Sequence, residues 1–138
     1  MAKNGFSMSN RVAVEELTAT KTLTVKDCGK HFSVDTAGGA IIATLPAIAD
    51  AENGWNASFY LTSGSATRAN FTVRSPAADV NLRGVILGGT AEGTGSDVAV
   101  TDLVIAAAAQ KKGDLIQIVA VNNQYQALAL VSGSITTA

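Results

Sequence analysis

From residue 20 onward, apolar and polar side chains alternate with period two, the spacing that gives each face of a β-strand its own set of side chains. Residues 21–26, Lys-Thr-Leu-Thr-Val-Lys, place Leu23 and Val25 on one face. Asp27-Cys28-Gly29-Lys30 supplies a turn, and the alternation resumes with Phe32 and Val34 inward and His31 outward. Ala37-Gly38-Gly39 interrupts the pattern, residues 40–45 restart it and Pro46 ends it. Trp55, Ala57, Phe59 and Leu61 share a face in 55–62, as do Phe71 and Val73 in 70–74. Residues 80–87 carry Val80, Leu82 and Ile86, with a bulge expected at Gly84. Residues 98–109 read as one strand, although the Ala run 106–109 also suits a helix. Residues 115–121 and 125–131, on either side of Asn122-Asn123-Gln124, form the clearest hairpin.

This amounts to about eight or nine short strands, roughly ten residues apart with turn signals between them. Residues 46–52 are too short for the helix of an ordinary parallel crossover. The expected fold is therefore all-β, an antiparallel β-sandwich or jelly-roll-like barrel. Residues 1–18 show no such period. They read as an N-terminal arm with a helical turn near residues 14–17, leaving residues 19–138 as the sandwich domain. Phe6, Met8, Val12, Val14 and Leu17 are too few to make a core of their own. They are expected to order against a partner and to supply that contact.

Composition narrows the function classes. Of the 138 residues only 15% are charged, against roughly 25% in an average domain, while 47% are hydrophobic. So apolar a surface suggests burial against other copies. Ten basic residues are offset by eleven acidic ones, so no phosphate-binding excess exists and no nucleic-acid partner is expected. No apolar leader segment or membrane-length run is present, and a soluble protein made in a cytoplasm is expected, with no membrane partner.

Candidate chemistry is sparse. Cys28 is the single cysteine and excludes an intrachain disulfide. His31 is the single histidine, so a multi-histidine metal site is excluded, and no Gly-x-Ser-x-Gly elbow accompanies it. The Gly88-Gly89-Thr90-Ala91-Glu92-Gly93-Thr94-Gly95 segment lacks the Gly-Lys-Ser/Thr ending of a phosphate loop and reads as a surface loop. No enzyme activity, cofactor or metal is expected. Trp55, Tyr60 and Tyr125 are few for the aromatic platform of a carbohydrate-binding module.

Gly29-Lys30-His31-Phe32-Ser33-Val34-Asp35, then Gly38-Gly39, then Thr44-Leu45-Pro46, resembles a succession found in small phage structural β-modules. Gly54 followed by the alternation to Phe59, and Gly113-Asp114 followed by the hairpin, extend the resemblance over about residues 20–133. Such modules occur in tail fibres and in trimeric capsid decoration (cement) proteins. Tyr125 stands where fibre modules often carry Trp, and the chain has neither repeated shaft sequence nor a coiled coil. The resemblance therefore implies a decoration protein on the virion capsid surface, a homotrimer bound to a major capsid protein. A tail or tail-fibre component and a carbohydrate-binding module are the alternatives.

Overall fold

The computed structural model describes residues 12–62, 68–76, 82–88, 96–133 and 135–137. Twelve strands form among them: β1 Val14–Leu17, β2 Lys21–Thr22, β3 Lys30–Val34, β4 Ile41–Thr44, β5 Asn56–Leu61, β6 Phe71–Arg74, β7 Leu82–Gly88, β8 Ser96–Val100, β9 Asp102–Ile105, β10 Leu115–Val121, β11 Gln124–Val131 and β12 Ile135–Thr137. They make two sheets. One runs β1-β3-β5-β10-β11-β7-β8 and the other β12-β9-β6-β4-β2. The protein is an all-β sandwich.

The inward residues of both sheets form one core, as the alternation predicts. Phe32, Val34, Ala57, Phe59 and Leu61 from the larger sheet and Phe71 and Val73 from the smaller are essentially inaccessible. Phe59 and Phe71 meet between the sheets, ring centroids 5.5 Å apart. Each large side chain removed from water contributes roughly 1.5–3 kcal/mol.

The pairing corrects the expectation of antiparallel or jelly-roll order. Five of the ten strand pairs among the described residues are parallel and five antiparallel. The first six strands alternate between the sheets, so β1, β3 and β5 lie side by side in one and β2, β4 and β6 in the other. Each turn of this winding adds one strand to each sheet. A parallel pair normally needs a long crossover. Here the crossover is a strand of the facing sheet, so no helix is required. Gly29, at φ 77°, turns the chain from the first smaller-sheet strand back into β3. The remaining strands close the layers: β9 runs antiparallel to β6, and the β10–β11 hairpin lies between β5 and β7. Asn122 and Asn123, both at positive φ (50° and 60°), make its two-residue turn.

Three local expectations change. Val14–Leu17 is a strand rather than a helical turn, and Leu17 enters the core, so the fold begins before the expected boundary at residue 18. Val25 does not share a face with Leu23. The Asp27 carboxylate accepts hydrogen bonds from the Thr24 N–H (2.8 Å) and hydroxyl (3.1 Å), closing a 3-10 turn at Val25–Asp27 that leaves Val25 exposed. The single strand expected over 98–109 is two strands in different sheets, separated at Thr101, followed by a turn at 107–109. Near the C-terminus β12 pairs antiparallel with β9 and completes the smaller sheet at that edge. The bulge expected at Gly84 is present as a register shift between β7 and β8.

Candidate interaction face

The β10–β11 hairpin buries Ile116, Ile118 and Ala120 from one strand and Tyr125, Ala127, Ala129 and Val131 from the other. Its outward set is Leu115, Gln117, Val119 and Val121, opposed by Leu130, Leu128, Gln126 and Gln124. Parallel pairing places Val85 of β7 beside Leu128, and Leu87 beside Leu130. An antiparallel pair with one solvated face normally turns polar residues outward. Here Val85, Leu87, Val119, Val121, Leu128 and Leu130 each leave 36–49% of their surface in water. Together these six side chains expose roughly 400–500 Å² of aliphatic surface, within the range of the largest patch on a typical monomer, which is often functional.

Registers extend this face across the sheet. Val14, His31, Ser58, Gln117, Leu128 and Val85 are successive cross-strand partners and form one row over six strands. Glu16, Ser33, Tyr60, Leu115, Leu130 and Leu87 form the next. One half of the face is therefore largely aliphatic, with Arg83 opposite Gln126 at its margin, and the other is mostly polar. Between them lies a shallow groove of about 470 Å³, bordered by His31, Asn56, Ser58, Gln117, Gln126 and Leu128. His31 points outward, as expected, and stacks on Tyr60 with ring centroids 5.4 Å apart.

The expected contact residues divide. Val12 and Val14 are exposed, Val14 at 70%, and Val14 lies in a row with the patch. Leu17 is 3% exposed in the chain's own core and is not available to a partner. Phe6 and Met8 lie outside the described residues. The six aliphatic residues of the patch were not singled out from the sequence. Their signal was present: in Leu115-Ile116-Gln117-Ile118-Val119-Ala120-Val121 both parities are largely apolar, so neither face is marked for water.

An ionic cluster fastens β1 beneath this face. Lys30 Nζ donates to Asp27 Oδ1 (2.7 Å) and Glu15 Oε2 (2.8 Å). Lys21 reaches Glu15 and, at 3.5 Å, Asp27, and its ammonium lies 5.3 Å from the centroid of the Phe32 ring. Burial pushes the Asp27 carboxyl up. Hydrogen bonds from Lys30 and from the Thr24 backbone, and the charge of Lys21, outweigh it and hold the group at about 2. The Lys21 and Lys30 hydrogen bonds lower Glu15 in the same way. Asp27 and then Glu15 raise Lys30 to about 12.

A second depression, about 450 Å³, is bordered by Val25, Cys28, Asp50, Glu52, Asn53, Gly54 and Trp55. It presents little aromatic surface. Trp55 is buried, its indole N–H donating to Thr24 O at 3.3 Å and its ring edge-on to Tyr125. Tyr125 is also interior. Two of the three aromatics considered for a sugar platform therefore belong to the core. Among the described residues no group of three or more His, Cys, Asp or Glu is placed to hold a metal ion.

No protein-family model matches the chain, and no curated protein matches it either.

Proposed function

We propose that this protein is a structural module of a tailed-phage virion, a head decoration protein that binds a capsid as a homotrimer. The observation that carries the reading is the aliphatic half-face of β7, β10 and β11. An exposed patch of this size, in a chain with so few charges, fits a surface that is covered in use. The residues that resemble phage β-modules support it. Gly29, Gly39, Gly54 and Gly113 of that succession all have positive φ, and they sit at turns that shape the winding. The two tasks of a decoration protein, self-association and shell binding, need separate surfaces. The aliphatic half-face suits the first. The exposed Val12 and Val14, at the opposite edge of the sheet, suit contact with a major capsid protein.

Native mass measurement tests this, first on the protein alone and then with purified capsids of the source phage. A trimer at micromolar concentration and saturable binding to shells are expected. A monomer that does not bind shells overturns the proposal. A trimer that ignores capsids and joins tails or fibres moves the protein to another part of the virion.

A further inference from the structure

We propose that the groove on the outer face of the larger sheet, floored by Ser58, is a binding site for an uncharged carbohydrate. The proposal goes beyond the decoration reading and does not depend on the number of subunits.

Differences in side-chain length make the groove. Ser58 has His31 of β3 and Gln117 of β10 as its cross-strand partners. Asn56 and Tyr60, two residues before and after it, share its side of β5. All four side chains are longer than that of serine, so the face is low at Ser58 and raised around it. The resulting groove, about 470 Å³, falls within the size range of small-molecule sites. Ser58 is 7% exposed, yet its hydroxyl has no hydrogen-bond partner among the described residues. Ser33, on the same face, differs: its hydroxyl meets Thr62 Oγ1 at 3.4 Å. Buried polar groups are ordinarily paired, so a hydroxyl left open on a groove points to a partner that arrives from outside. The side-chain amides of Gln117 and Gln126 are also uncommitted among the described residues. Asn56 donates its amide N–H to Gly54 O at 2.9 Å and keeps its carbonyl oxygen free.

The chemistry of this lining selects the ligand. A hydroxyl and a primary amide each donate and accept hydrogen bonds, as does every hydroxyl of a sugar. Among the described residues no carboxylate, lysine or arginine borders the groove. Arg83 stands one strand beyond it, opposite Gln126. A charged ligand would lose hydration here without meeting a counter-ion, whereas an uncharged polyol exchanges its water bonds for equivalent ones. Sugars also have an apolar C–H face. Val119 and Leu128 form an aliphatic wall for it. These two are shared with the margin of the aliphatic half-face, and the floor at Ser58 is not. On the other side His31 stacks on Tyr60, with 5.4 Å between centroids and 28° between planes. Tyr60 is half-buried and, unlike Trp55 and Tyr125, lies outside the core. A ring with a polar tip suits a ligand that is apolar on one face and hydroxylated at its rim. A peptide is matched less well. Peptides dock on sheets by adding a strand at an edge, and β5 and β10 are paired on both sides.

The test is a nuclear magnetic resonance titration of the full chain, labelled with nitrogen-15. The probes are maltotriose, cellotriose and triacetylchitotriose, with sialyllactose as the charged sugar and an uncharged glutamine-rich pentapeptide as the peptide. At least one neutral trisaccharide is expected to move the backbone amide signals of Ser58, Gln117 and Gln126 saturably. Ser58→Ala should weaken that binding about fivefold, the loss of one hydrogen bond. The spectrum of the variant itself reports folding. If Ser58→Ala loses its dispersed spectrum, Gln117→Ala, at an exposed position, takes its place with the same expected loss. No movement with any neutral sugar at about 10 mM, well above a millimolar dissociation constant, overturns the proposal. So do shifts centred away from Ser58, and binding that the substitutions leave undiminished. Sialyllactose or the pentapeptide moving these signals while the neutral sugars do not would assign the groove to an acidic glycan or a peptide, and overturn it too. None of these outcomes bears on trimerisation or capsid binding, which are read by native mass.

Discussion

The phenol hydroxyl of Tyr125 donates a hydrogen bond of 2.7 Å to the carbonyl oxygen of Pro46, in a part of the core where Tyr125 is wholly buried. Tyr125 opens the inward face of β11, and Pro46 closes the segment that leaves β4. The bond therefore ties the hairpin of one sheet to the strand exit of the other. Tyr125→Phe keeps the ring but leaves a carbonyl oxygen without this donor. A loss of about 1–3 kcal/mol is expected, seen as a lower urea midpoint at unchanged slope. An unchanged midpoint would mean that water replaces the bond.

The ionic cluster makes stability depend on pH in a defined direction. The folded Asp27 carboxyl sits at about 2, below its ordinary 3.8. Its contribution is complete above about pH 4 and disappears as pH falls towards 2, and Glu15 acts in the same sense. Lys30, raised from 10.5 to about 12, contributes fully below about 10.5 and loses that contribution as pH rises through 12. Asp27→Asn should cost of order 1–2 kcal/mol at neutral pH and flatten the acid limb of the stability profile. Urea titrations at pH 2.5, 4 and 7 check this. An equally steep acid limb in the variant would assign it to other carboxylates.

Gly84 faces Ala127 in the parallel pairing of β7 with β11. A Cβ placed on Gly84 would lie 1.9 Å from the Ala127 carbonyl oxygen and 2.7 Å from its carbonyl carbon. Backbone cannot yield as a flexible side chain does, so Gly84→Ala must push β7 away from the hairpin. Overpacking typically costs about 1–3 kcal/mol, and a clash with backbone belongs at or above the top of that range. Because β7 carries Val85 and Leu87, the same change should weaken self-association. Thermal melting and native mass read the two effects separately.

Leu17 and Val14 share β1 yet should behave oppositely. Leu17 is in the core, so Leu17→Ala is expected to cost about 2–5 kcal/mol. Val14 is largely in solvent, and Val14→Asp should leave the melting temperature within about 2 °C while reducing capsid binding. Thermal melting and co-sedimentation with shells distinguish the roles. Val14→Asp with undiminished shell binding would remove this edge from the proposed contact.

The sequence by itself determined most of the central strands and which of their side chains face inward, but not Val14–Leu17 or Ile135–Thr137, which lie near the ends of the described chain. Steric geometry ties a period of two to a pleated strand, and this relation is local. Phe32 and Val34, the set from Trp55 to Leu61, Phe71 and Val73, and the hairpin about Asn122-Asn123-Gln124 were therefore legible before any tertiary contact was known. Direction was not legible. Whether β3 runs parallel to β5 depends on β4 having crossed to the other sheet, and no local residue pattern distinguishes that path from a hairpin. Val25 escaped for a related reason, since a side-chain bond from Asp27 competed with the strand its spacing implied. The aliphatic half-face was the least legible feature. Val85, Leu87, Leu128 and Leu130 become one surface only when β7 is laid parallel to β11, a pairing between segments about forty residues apart. Hydrophobicity marks a side chain for burial but does not say against what. The tertiary structure decides that, by filling the interior with one parity of each strand and leaving the other outside.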